Sequence, residues 1–226
     1  CEEIFGDKTC ASIKAPSMLS RAGAILPTAL PSPCQTSVAN WVTPANDFVT
    51  YTANHLLWAI QGYNNVTAGL ASCLADGNVK PGTDILVIRR QSTDPVPVAS
   101  AVANQPYIQS GSSPGDAERR IKFRLATAPS TIFDLQMKQQ GGTIYQTTDV
   151  SRIFLHIYFI SPCSRPAGVA CAASDDGIPT LKRLDLGAGS FQMVTIAEGI
   201  EDMNIEYGVD ADRDGSADGN FKEIPA

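Results

Sequence analysis

Residues 151–161 (SRIFLHIYFIS) constrain the fold of this chain more than any other stretch. Ile153, Leu155, Ile157 and Phe159 alternate onto one face, which is the period of a strand. The residues between them, Phe154, Tyr158 and Ile160, are apolar as well, and only His156 breaks the pattern. A strand that is apolar on both faces belongs in the interior of a sheet, so a central strand is expected here. Pro162 ends it. The run is far too short to cross a bilayer, which takes about 20 apolar residues.

Other strands are read around it. Residues 84–90 (DILVIRR) are nearly continuously apolar and read as a second interior strand. Residues 120–126 (RIKFRLA) alternate Ile121, Phe123 and Leu125 against Lys122 and Arg124, a strand with one wet face. Residues 131–137, 191–196 and 203–209 read as further strands, and 179–186 as a strand or a sheet edge. Residues 1–46 are loop-rich, broken by Pro16, Pro27, Pro31, Pro33 and Pro44, with room for a short helix at 17–26. Residues 47–62 leave helix and strand open. Residues 63–83 read as a loop closing in the turn Lys80-Pro81-Gly82-Thr83, 91–118 as a long connection, and 197–202 as a turn. Strands dominate without a β-α-β rhythm, so the sheet is expected to be antiparallel. The chain is read as one domain over 1–226, loop-rich to 79 and sheet-forming from 80.

Six cysteines, Cys1, Cys10, Cys34, Cys73, Cys163 and Cys171, form an even set without a C-x-x-C pair. With only two histidines beside them, a zinc site is poorly supported, and disulfides in an oxidising compartment are the better reading. Locality favours Cys1–Cys10 and Cys163–Cys171, which leaves Cys34–Cys73. Buried free thiols are the alternative.

Charge is distributed unevenly. The net charge is −6, from 17 basic and 23 acidic residues. Residues 198–226 alone carry nine acids and two bases, and the rest of the chain is close to neutral. That balance argues against nucleic acid and against a basic membrane-surface protein. Much of the acid lies in Asp210-Ala-Asp212-Arg-Asp214-Gly215-Ser216-Ala-Asp218. Calcium takes six to eight oxygens, and a tight loop supplies them from alternate positions. Counted from Asp210, carboxylates fall at positions 1, 3, 5 and 9 of such a loop, Gly215 at the sharp turn, and Ser216 where a backbone carbonyl would bind. Position 12 is Phe221 and not a bidentate Glu, although Glu223 lies two residues on. The flanks look like strand or turn, so a structural calcium clip is expected rather than a helix-loop-helix sensor. A solvated acidic turn is the alternative. Asp175-Asp176-Gly177 reads as a plain turn.

No catalytic function is expected. Gly111-Ser112-Ser113-Pro114-Gly115 matches the G-x-S-x-G elbow, but the residue after the nucleophile must donate its N–H, and Pro114 has none. The preceding ANQPYIQ also reads as a poor buried strand. His55 and His156 sit in apolar surroundings and read as satisfied core histidines. Asn65-Val66-Thr67 is a glycosylation sequon by pattern only.

Four stretches together resemble the PilW-type minor pilins of bacterial type IV pili. They are Pro81-Gly82-Thr83-Asp84 running through Arg90, then Tyr158-Phe159-Ile160 running into Cys163, then Asp176-Gly177-Ile178-Pro179-Thr180-Leu181-Lys182-Arg183-Leu184. The last is Glu198-Gly199-Ile200-Glu201-Asp202-Met203 with Glu206-Tyr207-Gly208-Val209-Asp210 and the acidic loop. The resemblance covers about residues 80–221, and before that is carried loosely by Cys1 and residues 58–63. It implies an α+β fold: a pilin-like head, β-dominated, with a helix on an antiparallel β-sheet and long disulfide-tied loops. It implies a non-catalytic subunit that joins other minor pilins and the major pilin in a complex priming pilus assembly, and stays at the tip, where a larger adhesin could be carried. Family members begin with a processed leader and a long apolar helix that anchors them in the inner membrane. The chain opens at Cys1 without one, so the full-length form is expected to carry that anchor upstream, facing the periplasm before assembly and the cell surface after it. Alternatives are a J-type pseudopilin of type II secretion, and a secreted calcium-dependent adhesin or carbohydrate-binding module.

Overall fold

The computed structural model of the protein describes residues 32–36, 38, 60–70, 72–112, 114, 121–138, 144–207 and 222–223. Its strands in chain order are β1 (Ile60–Val66), β2 (Thr83–Gln91), β3 (Pro106–Ser112), β4 (Ile121–Thr127), β5 (Gln136–Lys138) and β6 (Tyr145–Thr147). They continue as β7 (Val150–Ser161), β8 (Thr180–Leu186), β9 (Phe191–Glu198), β10 (Glu206–Tyr207) and β11 (Lys222–Glu223). The first nine form one sheet and the last two a separate ribbon.

β7 is the spine, as its two apolar faces require. It pairs with β2 from Ile153 to Tyr158 on one side and with β8 from His156 to Ser161 on the other. Its first residues pair with β3, which in turn carries β4 and β5. β1 closes the sheet beyond β2, and β9 closes it beyond β8. Every pairing is antiparallel.

Alternation sorts the residues onto two faces. On the inner face Ile85, Val87, Leu155, Ile157 and Phe159 are wholly buried, with Leu184 and Leu186 beside them. Val38, Leu74 and Val79 pack over that face, where the Cys34–Cys73 bond ties their segments together. A smaller cluster of Tyr107, Ala126, Ala128, Phe133 and Val150 forms beneath β3 and β4. Arg89 Nη1 donates to Gln61 Oε1 at 3.1 Å, and Gln61 Nε2 donates to Tyr63 Oη at 2.6 Å. Burial pushes the Arg89 guanidinium down to about 10 and the Tyr63 hydroxyl up.

Several expectations are corrected. Residues 63–83 are not all loop, because β1 extends to Val66 and pairs with β2. The turn at Lys80-Pro81-Gly82-Thr83 is present: Gly82 sits at φ +87°, a conformation that favours glycine, and Thr83 Oγ1 donates to Lys80 O. The connection read at 91–118 contains β3, whose Tyr107 and Gln109 are buried. Its Pro, Gly and Ser are weak strand formers, so local preference hides it. Its partners impose it: Gln109 Nε2 donates to Thr148 O at 2.8 Å, and Gln109 Oε1 accepts from Leu135 N at 3.0 Å. Residues 131–137 give only the three-residue β5, which runs to Lys138, and the described part of 203–209 gives the two-residue β10. β8 is interior and not an edge, since β9 lies outside it. Among the described residues the complete helical segments are two 3₁₀ turns, Asp76–Asn78 and Val98–Ser100, and no α-helix is present. The fold described is thus an open, strand-dominated antiparallel sheet, and the short helix read at 17–26 lies outside the described residues.

Candidate functional site

The features with chemical character fall in three groups: the chain leaving β9, the disulfide loop, and the outer face of β7. Asp84, at the start of β2, is 5% exposed and holds this exit in place. Its carboxylate accepts from Ile205 N at 2.7 Å and from Asn65 N at 2.8 Å, while its own N–H donates to Met203 O at 2.9 Å. Lys80 Nζ adds a bond to Glu201 O at 2.7 Å. The segment 201–205 is therefore pinned to the Pro-Gly-Thr-Asp turn, although it forms no ladder of its own. Asn65, the sequon asparagine, sits at φ 48° and ends β1 against the same carboxylate.

Just beyond, β10 pairs with β11 through Glu206↔Glu223 and Tyr207↔Lys222. In sequence the acidic stretch lies between these two strands. Asp210, Asp212, Asp214, Ser216 and Asp218 themselves lie outside the described residues. The flanks are strands and not helices, as expected.

The disulfide loop is the second feature. Cys163 and Cys171 are bonded, with Cα atoms 5.8 Å apart, and Cys34 and Cys73 likewise at 5.3 Å. Both pairings match the sequence reading; Cys1 and Cys10 lie outside the described residues. Asp175 and Asp176 lie in a turn, as read, with Asp175 N donating to Ala172 O at 3.0 Å, and they also staple this loop. Asp176 accepts from Ser164 N, Ser164 Oγ, Arg165 N and Ile178 N at 2.7–3.2 Å. Asp175 accepts from Ala167 N and Ala172 N. The Ser164 hydroxyl, with these amides, holds the Asp176 carboxyl down to about 2. Cys163, Cys171 and Asp175 place three ligand-type atoms within 4.8 Å of one another. A metal needs thiolates there, and the disulfide leaves none. Lys182, 1% exposed, lies near Asp176, and burial lowers its ammonium.

The outer face of β7 carries a third group. Arg90 and Arg152 lie over the Phe154 ring, at 4.4 and 4.7 Å from its centroid. His156 is 9% exposed, between Phe154 and Tyr158, with Nε2 3.5 Å from Asp185 Oδ1. Burial lowers its pKa, Asp185 opposes that, and Arg183, Arg90 and Arg152 reinforce it. Asp185 is held by Arg183, whose Nη2 donates at 2.7 Å. His156 is thus the buried, packed histidine expected, and His55 lies outside the described residues. Gly111 and Ser112 of the elbow motif sit in β3, where Ser112 Oγ donates to Gln136 O at 3.0 Å. Ser113 and Gly115 lie outside the described residues.

The model of the type IV pilus-assembly protein W family matches residues 167–224. The chain carries a PilW-type segment. It runs from the disulfide loop through β8 and β9 to the two strands that flank the acidic stretch in sequence. No curated protein and no solved structure matches the chain. The PilW-type segment links the chain to type IV pilus assembly, and so to the periplasm or the cell exterior, where disulfides persist. Among the described residues no helix is long and apolar enough to cross a membrane.

Proposed function

We propose that this chain is a minor pilin: a non-catalytic subunit of the complex that primes type IV pilus assembly and remains at the tip. The observation that carries the reading is the PilW-type match over residues 167–224. Its partners on this reading are other minor pilins, the major pilin and a tip adhesin, with an upstream helix anchoring the full-length form in the inner membrane. The pilin-like α+β head belongs to the same proposal. Deleting the chain's gene in a piliated strain should remove most surface pili, and complementation should restore them. Undiminished piliation would overturn the reading. Loss of protein secretion with intact pili would move the chain to the pseudopilins.

The loop of Asp210, Asp212, Asp214, Ser216 and Asp218 is proposed to hold a structural calcium ion. Four carboxylates within nine residues, at the spacing of a calcium loop, support this, because charges so close along the chain repel unless a cation binds. An ion that binds only the folded state raises the melting temperature by linkage. Calcium should therefore raise it in the native chain and leave Asp212→Ala and Asp214→Ala unmoved. A melting curve indifferent to calcium and to chelator would remove the claim.

A further inference from the structure

Among the described residues β9 is an edge strand with little of the usual protection. Proteins blunt exposed edge strands with charges, prolines, bulges, shortness or cover. β9 is eight residues long, and from Phe191 to Ala197 (FQMVTIA) it has no charged residue and no proline. Among the described residues it pairs only with β8. One bulge interrupts that pairing, at Ile196 of β9 opposite the Leu181–Lys182 step, and leaves the five pairs from Phe191↔Leu186 to Thr195↔Lys182 in regular register. Gly187 N donates to Ser190 O at 2.8 Å and sets the turn pair. By antiparallel alternation the N–H and C=O of Met193 and Thr195 then point away from β8. Gln192, Met193, Thr195 and Ile196 are exposed. Met193 at 40% and Ile196 at 45% are joined at the far end of the hairpin by Ile178 at 41% and Ile200 at 37%.

The same end is acidic. Glu198, Glu201 and Asp202 are all exposed, and among the described residues none of their carboxylates makes a salt bridge. Lys80 reaches only the Glu201 carbonyl. This apolar edge with its acidic end falls within residues 167–224, the part of the chain shared with the pilus-assembly family.

We propose that β9 is a docking edge that receives an extended strand from another subunit of the pilus, with alternate apolar residues and Lys or Arg at the end beside Glu198. Main-chain bonds to Met193 and Thr195 extend the sheet, and the basic end answers the three carboxylates and fixes the direction of the added strand. This rests on the pilus-subunit reading and names the surface it uses.

The test mixes the full chain with the purified extracytoplasmic region of each other subunit of the same pilus. Binding is read by titration, and amide hydrogen exchange is read across residues 191–195. One subunit should bind and slow exchange there. Thr195→Pro removes an edge donor, and Ile196→Lys places a charge on the edge. Each should weaken binding about tenfold or more, with circular dichroism and melting showing that the variant still folds. Glu198→Lys with Glu201→Lys should weaken it too and reverse its salt dependence. Binding that leaves exchange at 191–195 unchanged overturns the docking edge while the pilus-subunit reading stands. A self-dimer that protects 191–195 and is abolished by Ile196→Lys makes the occupant a second copy and overturns the proposal. Binding to no subunit removes the edge and the pilus reading together.

Discussion

β7 and β9 are both strands rich in apolar and β-branched residues, yet the sheet treats them oppositely. β7 has a neighbour on each side, and its Leu155, Ile157, Phe159 and Ile160 are wholly buried. Among the described residues β9 has a neighbour on one side, and its Met193 and Ile196 lie open. Hydrophobicity makes both of them strands, but only neighbouring chain makes a strand interior. For β7 the molecule supplies those neighbours itself. For β9 it supplies one and leaves the other edge to a partner.

The comparison breaks most sharply by truncation. Phe159→Ala empties the largest fully buried side chain of β7 and should cost about 3–5 kcal/mol, as cavities at buried aromatic sites do. Ile196→Ala on β9 should stay within about 0.5 kcal/mol. Chemical denaturation of both variants reads the difference. Equal losses would mean that β9 is as integrated as β7 and that its edge is not free.

A second, smaller break tests how the PilW-type segment is attached. Asp84→Ala removes the acceptor shared by Ile205 N and Asn65 N. Two charge-assisted bonds, at the low end of about 1.5 kcal/mol each for a partly buried site, should cost about 3 kcal/mol together. Exchange should speed up at Asn65 and across 201–207, and not at β7. If it speeds up uniformly, Asp84 supports the whole sheet and not the C-terminal exit.

Much of this was legible because burial leaves a period. β2 and β7 show it in residues 84–90 and 151–161, and the structure places both in the interior of the sheet. β3 was illegible because its reason is not local. Gln109 is buried only because Thr148 and Leu135, 39 and 26 residues away, supply its bonds. Cysteine spacing gave Cys163–Cys171 through proximity and Cys34–Cys73 by what remained. The roles of Asp175 and Asp176 were hidden for the opposite reason. An acidic pair before glycine looks the same whether its carboxylates face water or collect amides eight to twelve residues upstream.

The smallest effect is local and is set by pH. Asp176 has its carboxyl held near 2 by the Ser164 hydroxyl and the amides of Ile178, Ser164 and Arg165. Its unfolded value lies near 4. A carboxylate lowered on folding contributes stability that is complete above the unfolded value and lost as pH falls through the folded one. The disulfide loop should therefore stay ordered down to about pH 4 and loosen towards pH 2. NMR signals of the Ser164 and Arg165 amides should move with that midpoint, while those of β7 stay still over the upper part of the range. Asp176→Ala should show the loosened loop already at neutral pH. If the two amides shift with a midpoint near 4, the carboxylate is not held by them, and the loop owes its shape to the Cys163–Cys171 bond alone.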